Sequence, residues 1–118
     1  MADGPLKITD LKERFVDVSE VMQNDIKSLV QMQLNHKAQT ILKKIYSRNP
    51  DAKVLIEYTI IKNKQGKYEA DFIFTTDGEK FNTSSHQGFK IATDLVTHAF
   101  DKWKRYTLGL FGWKNLFN

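Results

Sequence analysis

The chain has no cysteine, so disulfides, thiolate zinc centres and cysteine nucleophiles are excluded. This fits a reducing compartment, and the cytoplasm is the expected location. Proline occurs twice, and the six glycines are scattered, with no glycine-rich phosphate loop among them. No apolar run approaches the ~20 residues of a membrane-spanning helix. The opening residues MADGPLKITD hold no apolar signal core, which argues against secretion. Histidine is sparse. His36, His86 and His98 form no i, i+4 pair on one helix, and no HExxH run occurs. Ser84-Ser85-His86 lacks the surroundings of a nucleophile elbow. No metal, cofactor or enzymatic activity is expected.

What is present describes one globular domain with a modest core. The 118 residues are 41% hydrophobic and 27% charged, close to the globular average. The net charge is only +4, but it is clustered. Residues 1–25 carry three basic and six acidic groups, residues 26–53 six basic and one acidic, and residues 97–118 four basic and one acidic. A polyanion-binding face needs such clustering.

The hydrophobic pattern orders the elements. After a polar start, LKITDL (residues 6–11) reads as a short strand, with a helix capped by Asp10 and Glu13 as its competitor. ERFVDV reads as irregular or extended. Ser19 is a good N-cap with acidic Glu20 just inside the helix. Apolar residues then recur in steps of three and four through residue 45, giving one amphipathic helix to about Ser47, roughly 40 Å long. Asn49-Pro50 stops it. The alternation in VQMQLN offers a strand instead, but the helical stripe passes through it unbroken.

Three strand signals follow. Val54, Ile56, Tyr58 and Ile60 share one face of the first, and Tyr68, Ala70, Phe72 and Phe74 one face of the second. Asp77-Gly78 marks a two-residue hairpin, and EKFNTSS is a shorter, polar edge strand. A last helix starts near His86–Gly88, carries Phe89, Ala92, Val96, Ala99, Trp103 and Tyr106 on one stripe, and ends at Gly109. The expected fold is α+β, a two-layer β-α-β-β-β-α sandwich with two helices on one face of a four-stranded sheet. Its domain spans residues 1–109, and an apolar, aromatic tail spans 110–118.

Two groups of side chains carry candidate chemistry. Glu57, Glu69 and Asp71 fall on strand faces opposite the apolar residues. They read as a carboxylate cluster for acid–base work or as a polar, wet sheet face, and the second is expected. The basic residues are the stronger signal. Lys37, Lys44 and Arg48 share one side of the first helix, with Lys43 close by. Lys90, Lys102, Lys104 and Arg105 decorate the last helix, and Lys62, Lys64, Lys67 and Lys80 flank the hairpin turns. Such cations contact phosphates and release counterions without reading sequence. They also serve helix solubility and the dipole near a C-terminus.

With this layout the chain resembles the short hibernation promoting factors, the ribosome-associated inhibitor or protein Y family. LKITDL at 6–11 is similar to that family's opening strand, and VSEVM at 18–22 to its helix start. KYEADFIFTTDGEKF (67–81) is similar to its third-strand hairpin, and FKIATD (89–94) and DKWKRY (101–106) to its last helix. Phe89 takes the place of the family's aromatic at the start of that helix. The resemblance covers about residues 6–107 and rests on order and spacing rather than on any one motif. It implies the β-α-β-β-β-α fold and a non-enzymatic, translation-inhibiting protein on the small ribosomal subunit, in the channel used by mRNA and tRNA. Contacts to ribosomal RNA would fall to Lys37, Lys43, Lys44, Arg48, Lys90, Lys102, Lys104 and Arg105. With no dimerising domain following, it implies a short form.

Besides a small enzyme or ligand carrier that would use the strand-face carboxylates, two other functions stay open. One is a double-stranded-RNA-binding module, whose α-β-β-β-α order is close but which needs a lysine cluster at its final helix, where SSHQGFK offers only Lys90. The other is a protein-interaction module anchored by Leu110, Phe111, Trp113, Leu116 and Phe117 of the tail.

Overall fold

Among the described residues, seven elements follow one another in the computed structural model: β1 (Asp10–Val16), α1 (Glu20–Asn35), α2 (Lys37–Arg48), β2 (Val54–Lys62), β3 (Tyr68–Thr76), β4 (Glu79–Phe89) and α3 (Ala92–Leu116). The structure describes the backbone of residues 5–89 and 92–116, and the side chains of 5–85 and 94–109. The strands form one mixed sheet in the order β1-β2-β3-β4. β1 runs parallel to β2, while β2, β3 and β4 are antiparallel. A parallel pair needs a crossover connection, which α1 and α2 supply. The α+β sandwich expected from the sequence is present, with the first helical rod divided into two helices.

Alternation decides which sheet face is buried. Val54, Ile56, Tyr58 and Ile60 of β2 and Tyr68, Ala70, Phe72 and Phe74 of β3 point into the core. They meet Ile26 and Val30 of α1, Ile41, Leu42 and Ile45 of α2, and Leu95, Phe100 and Trp103 of α3. Aromatic rings fix the seating of α3. Trp103 stacks on Phe74 with centroids 4.6 Å apart, and Phe100 meets Phe72 and Phe74 edge-on.

The division between α1 and α2 has a geometric cause. Ile26, Val30, Leu34, Ala38 and Leu42 are all buried and recur every fourth residue. Each such step overshoots one helical turn by about 40°. Along a straight helix, Leu42 would stand roughly 160° away from Ile26 and face solvent. The break at His36, with φ −125° and ψ −79°, brings the second half back over the sheet. A kink frees carbonyl groups. Here Gln39 Nε2 donates to Leu34 O at 2.8 Å and to Leu6 O at 2.9 Å, while Gln39 Oε1 accepts from the Leu6 N–H at 2.8 Å.

The same contacts correct the expected first strand. Residues 6–8 do not belong to the sheet, and the backbone groups of Leu6 and Lys7 are taken by helix side chains, by Gln39 at Leu6 and by Tyr46, whose hydroxyl donates to Lys7 O at 2.6 Å. Pairing begins at Thr9, whose N–H donates to Val54 O at 2.7 Å, and the strand is DLKERFV. Its pattern hides this, since Glu13 lies in register with Tyr58 on the helix-covered side. There Glu13 accepts the Tyr58 hydroxyl proton. Burial, and then this hydrogen bond, push the Tyr58 hydroxyl well above the usual tyrosine range.

Two boundaries of the last elements also differ from expectation. β4 continues through His86 to Phe89, so Phe89 pairs with Tyr68 in the sheet and does not open a helix. A register shift between Ala70–Ser85 and Tyr68–Phe89 absorbs two extra residues on β4. α3 runs through Gly109 to Leu116. A glycine inside a helix costs only about 1 kcal/mol, and Gly109 adopts no positive φ that would stop one. The Asp77-Gly78 turn is as expected, with φ of +50° and +88°, the pair of positive values that a two-residue hairpin turn demands.

Replacing Gln39 by Leu should lower the unfolding free energy by about 1–2 kcal/mol. Hydrogen-exchange protection should fall at Leu6 and around the kink, and stay unchanged in β2 and β3. Denaturant unfolding with amide exchange checks both, and unaltered protection at Leu6 would refute the clamp.

Candidate nucleic-acid interface

The burial of Ala38, Ile41, Leu42 and Ile45 points one side of α2 at the sheet and sets where its cations stand. Lys37, Lys44 and Arg48 are seven and four residues apart and fall within about 40° of one another around the helix. Lys43, Lys44 and Arg48 are exposed, while Lys37 is half-buried. The reason is an ion pair. Lys37 Nζ donates to the Asp101 carboxylate on α3, so this side of α2 faces the neighbouring helix.

On α3, Lys104 and Arg105 lie three and four residues beyond Asp101 and therefore on the same side. Arg105 is exposed and Lys104 half-buried. The two helices thus bring Lys37, Lys44, Arg48, Lys104 and Arg105 along one seam, with Asp101 as the acidic member. Lys43 stands about 100° around α2 from Lys44, on the outer surface of the same rod. Lys102 is placed elsewhere. Two residues from Lys104, it lies roughly 160° around the helix, on the flank where Tyr106 stacks against Phe81 of β4. Lys90 is outside the described residues, as are the side chains of Leu110, Phe111, Trp113, Leu116 and Phe117.

Electrostatics at the seam follows from the pairing. The hydrogen bond from Lys37, reinforced by the charges of Lys37, Arg105 and His98, holds the Asp101 carboxyl below the usual carboxylate range, against the opposing effect of burial. His98 and Asp94 are the exposed residues one and two turns earlier on α3. The seam is therefore mixed in charge towards the start of α3 and cationic beyond Asp101. Lys43, Lys44 and Arg48 also sit in the last half of α2, where positive charge is favoured by the helix dipole.

The strand-face carboxylates Glu57, Glu69 and Asp71 lie on the sheet face turned away from the helices. Glu57 is exposed and in register with Lys12 of β1, and Asn63 Nδ2 donates to Glu69 at 3.0 Å. Among the described residues no group of three or more His, Asp or Glu is arranged to hold a metal ion, and no helix is long and apolar enough to cross a membrane. The hairpin lysines divide by sheet end. Lys62, Lys64 and Lys67 flank the β2–β3 turn, and Lys80 follows the β3–β4 turn at the other end.

One feature of the site carries no sequence signal. A cavity of about 330 Å3 opens where the end of α2 meets the β3–β4 turn, bordered by Arg48, Asn49, Asp77, Glu79, Trp103 and Tyr106. It exists because Asp77 ties the turn to the chain after α2. Asp77 Oδ1 accepts from the Lys53 N–H at 2.8 Å, and Oδ2 accepts from Asn49 Nδ2 at 3.2 Å.

The geometry defines an α+β sandwich that carries a cationic seam on its helical layer. No family model matches the chain, and no curated protein matches it. Among solved structures it is similar to the N-terminal domain of Protein Y from Thermus thermophilus, with 16% sequence identity and a TM-score of 0.45, over 86% of this chain and 99% of that one.

Replacing Asp101 by Asn tests the pairing. Because the folded carboxyl is held low, its contribution to stability is complete above the ordinary aspartate range and is lost as pH falls through and below about 4. The variant should melt slightly below the parent at pH 7, by less than about 1 kcal/mol for so exposed a pair. The difference should shrink as pH falls below the ordinary aspartate range, and a difference that stays constant there would contradict the assignment.

Proposed function

We propose that the chain is a non-enzymatic, cytoplasmic RNA-binding protein of the ribosome-hibernation kind, which lays its helical layer against small-subunit ribosomal RNA and blocks translation by occupying the channel. The observation that carries this is the convergence of Lys37, Lys44, Arg48, Lys104 and Arg105 on one α2–α3 seam, with Lys43 beside it. Structured RNA offers a wall of phosphates read by shape and charge. Two neighbouring rods with cations between and above them suit such a wall, since each phosphate contact releases counterions and needs no base recognition. The motif order that resembles the protein Y family supports the same partner. Its expected contact at Lys102 is the weaker one, because that side chain stands on the β4 flank.

The sheet supports the arrangement from beneath. Its aromatic face seats α3, while its outer face mixes Glu57, Glu69 and Asp71 with Lys12, Arg14 and Lys80 and so lacks the clustered positive charge of the helical layer. Binding through the helical layer therefore leaves this mixed-charge face turned outward.

Cosedimentation with small ribosomal subunits tests the proposal. Binding should weaken steeply with salt, and the triple variant Lys43→Glu, Lys44→Glu, Arg105→Glu should abolish it at moderate salt while keeping the parent circular-dichroism spectrum and melting curve. Lys102→Glu should have little effect. Undiminished binding by the folded triple variant would remove the seam as the contact surface.

A further inference from the structure

We infer that the cavity between the end of α2 and the β3–β4 turn receives one unpaired, amino-bearing nucleobase of a bound single-stranded RNA segment, an inference that rests on the RNA-binding function above. Its wall is aromatic. Tyr106 stacks on Phe81 with centroids 4.5 Å apart and planes at 11°, and Phe74 and Trp103 form a second stack behind them. Tyr106 remains 38% exposed and borders the cavity, so part of its surface is open to a planar ligand there. Unpaired bases bind proteins in this way, on aromatic faces that accept any planar π-system.

The charges around the opening choose among planar ligands. Arg48 belongs both to the cationic seam and to the cavity border, so a phosphate held at Lys44 and Arg48 leaves its own base within reach of Tyr106. Asp77 and Glu79 border the same cavity. Two carboxylates disfavour a phosphate or carboxylate inside it and favour a neutral ring that donates hydrogen bonds. Asp77 already accepts from Lys53 and Asn49, whereas Glu79 lies exposed at the border and can accept from an exocyclic amine. Cytosine, adenine and guanine carry that amine, and uracil does not.

Fluorescence anisotropy with three labelled RNAs of equal length tests this: oligocytidine, oligouridine and a duplex. The parent protein should prefer oligocytidine to oligouridine. Tyr106→Leu should weaken oligocytidine binding about tenfold, with an unchanged salt slope and unchanged duplex binding, and Tyr106→Phe should restore it. Glu79→Gln should erase the preference for oligocytidine. A Tyr106→Leu variant that melts like the parent yet binds oligocytidine equally well, or loses duplex binding to the same extent, overturns the pocket. Should the parent bind none of these RNAs, RNA binding itself fails, and the pocket is judged separately by NMR titration with free cytidine and adenosine. Saturable shifts at Tyr106 and Phe81 then support it, and their absence removes it.

Discussion

Trp103 lying flat on Phe74 is the contact on which the rest of the molecule turns. The two rings are 4.6 Å apart and nearly parallel, and both side chains are almost fully buried. This stack, with Phe100 wedged edge-on against Phe72 and Phe74, fixes the rotation of α3 about its own axis. Rotation decides which residues of α3 face α2. With Trp103 inward, Asp101 and Lys104 fall towards the seam, and Lys102 falls towards β4. A packing contact in the core thus sets the charge pattern of the surface.

The helical layer is electrically asymmetric along its length. Its early part carries Glu20 and Asp25 on α1 and Asp94 on α3, all exposed. Its later part carries Lys43, Lys44, Arg48, Lys104 and Arg105. The Lys37–Asp101 pair stands at the boundary and joins the two rods. Positive charge on the last half of α2 offsets the negative end of its dipole, so stability and polyanion attraction favour the same residues there. The cavity beside Arg48 lies at the cationic end, where the aromatic column of the core reaches the surface through Tyr106.

Much of the fold was legible in the residues, and each misreading has a local cause. The two central strands announce themselves because every second residue from Val54 and from Tyr68 is apolar. The Asp77-Gly78 turn does so because few residues tolerate two positive φ angles. Ser19 reads as a cap, and its hydroxyl oxygen does accept the Met22 N–H at 3.2 Å. The kink at His36 was hidden because apolar residues four apart look like one stripe, although over sixteen residues they wind off the core. β1 was misplaced because Glu13 sits on the covered side, satisfied by a tyrosine from another strand. The start of α3 was read too early because Phe89 completes a helical stripe on paper while pairing across a strand in the fold. Of the site, the grouping of Lys37, Lys44 and Arg48 followed from helical arithmetic. The pairing of Lys37 with Asp101 did not, since it joins residues sixty-four apart, and the cavity depends on where a turn meets a helix end.

Lysine reactivity measured with and without small ribosomal subunits tests the central claim most directly. A small acylating reagent read out by mass spectrometry assigns each ammonium group. Lys43, Lys44 and Lys104 should become protected on binding, while Lys62 and Lys64 at the far hairpin and Lys12 on the outer sheet face should keep their reactivity. Protection of Lys12, Lys62 and Lys64 with Lys43, Lys44 and Lys104 left open would contradict the account.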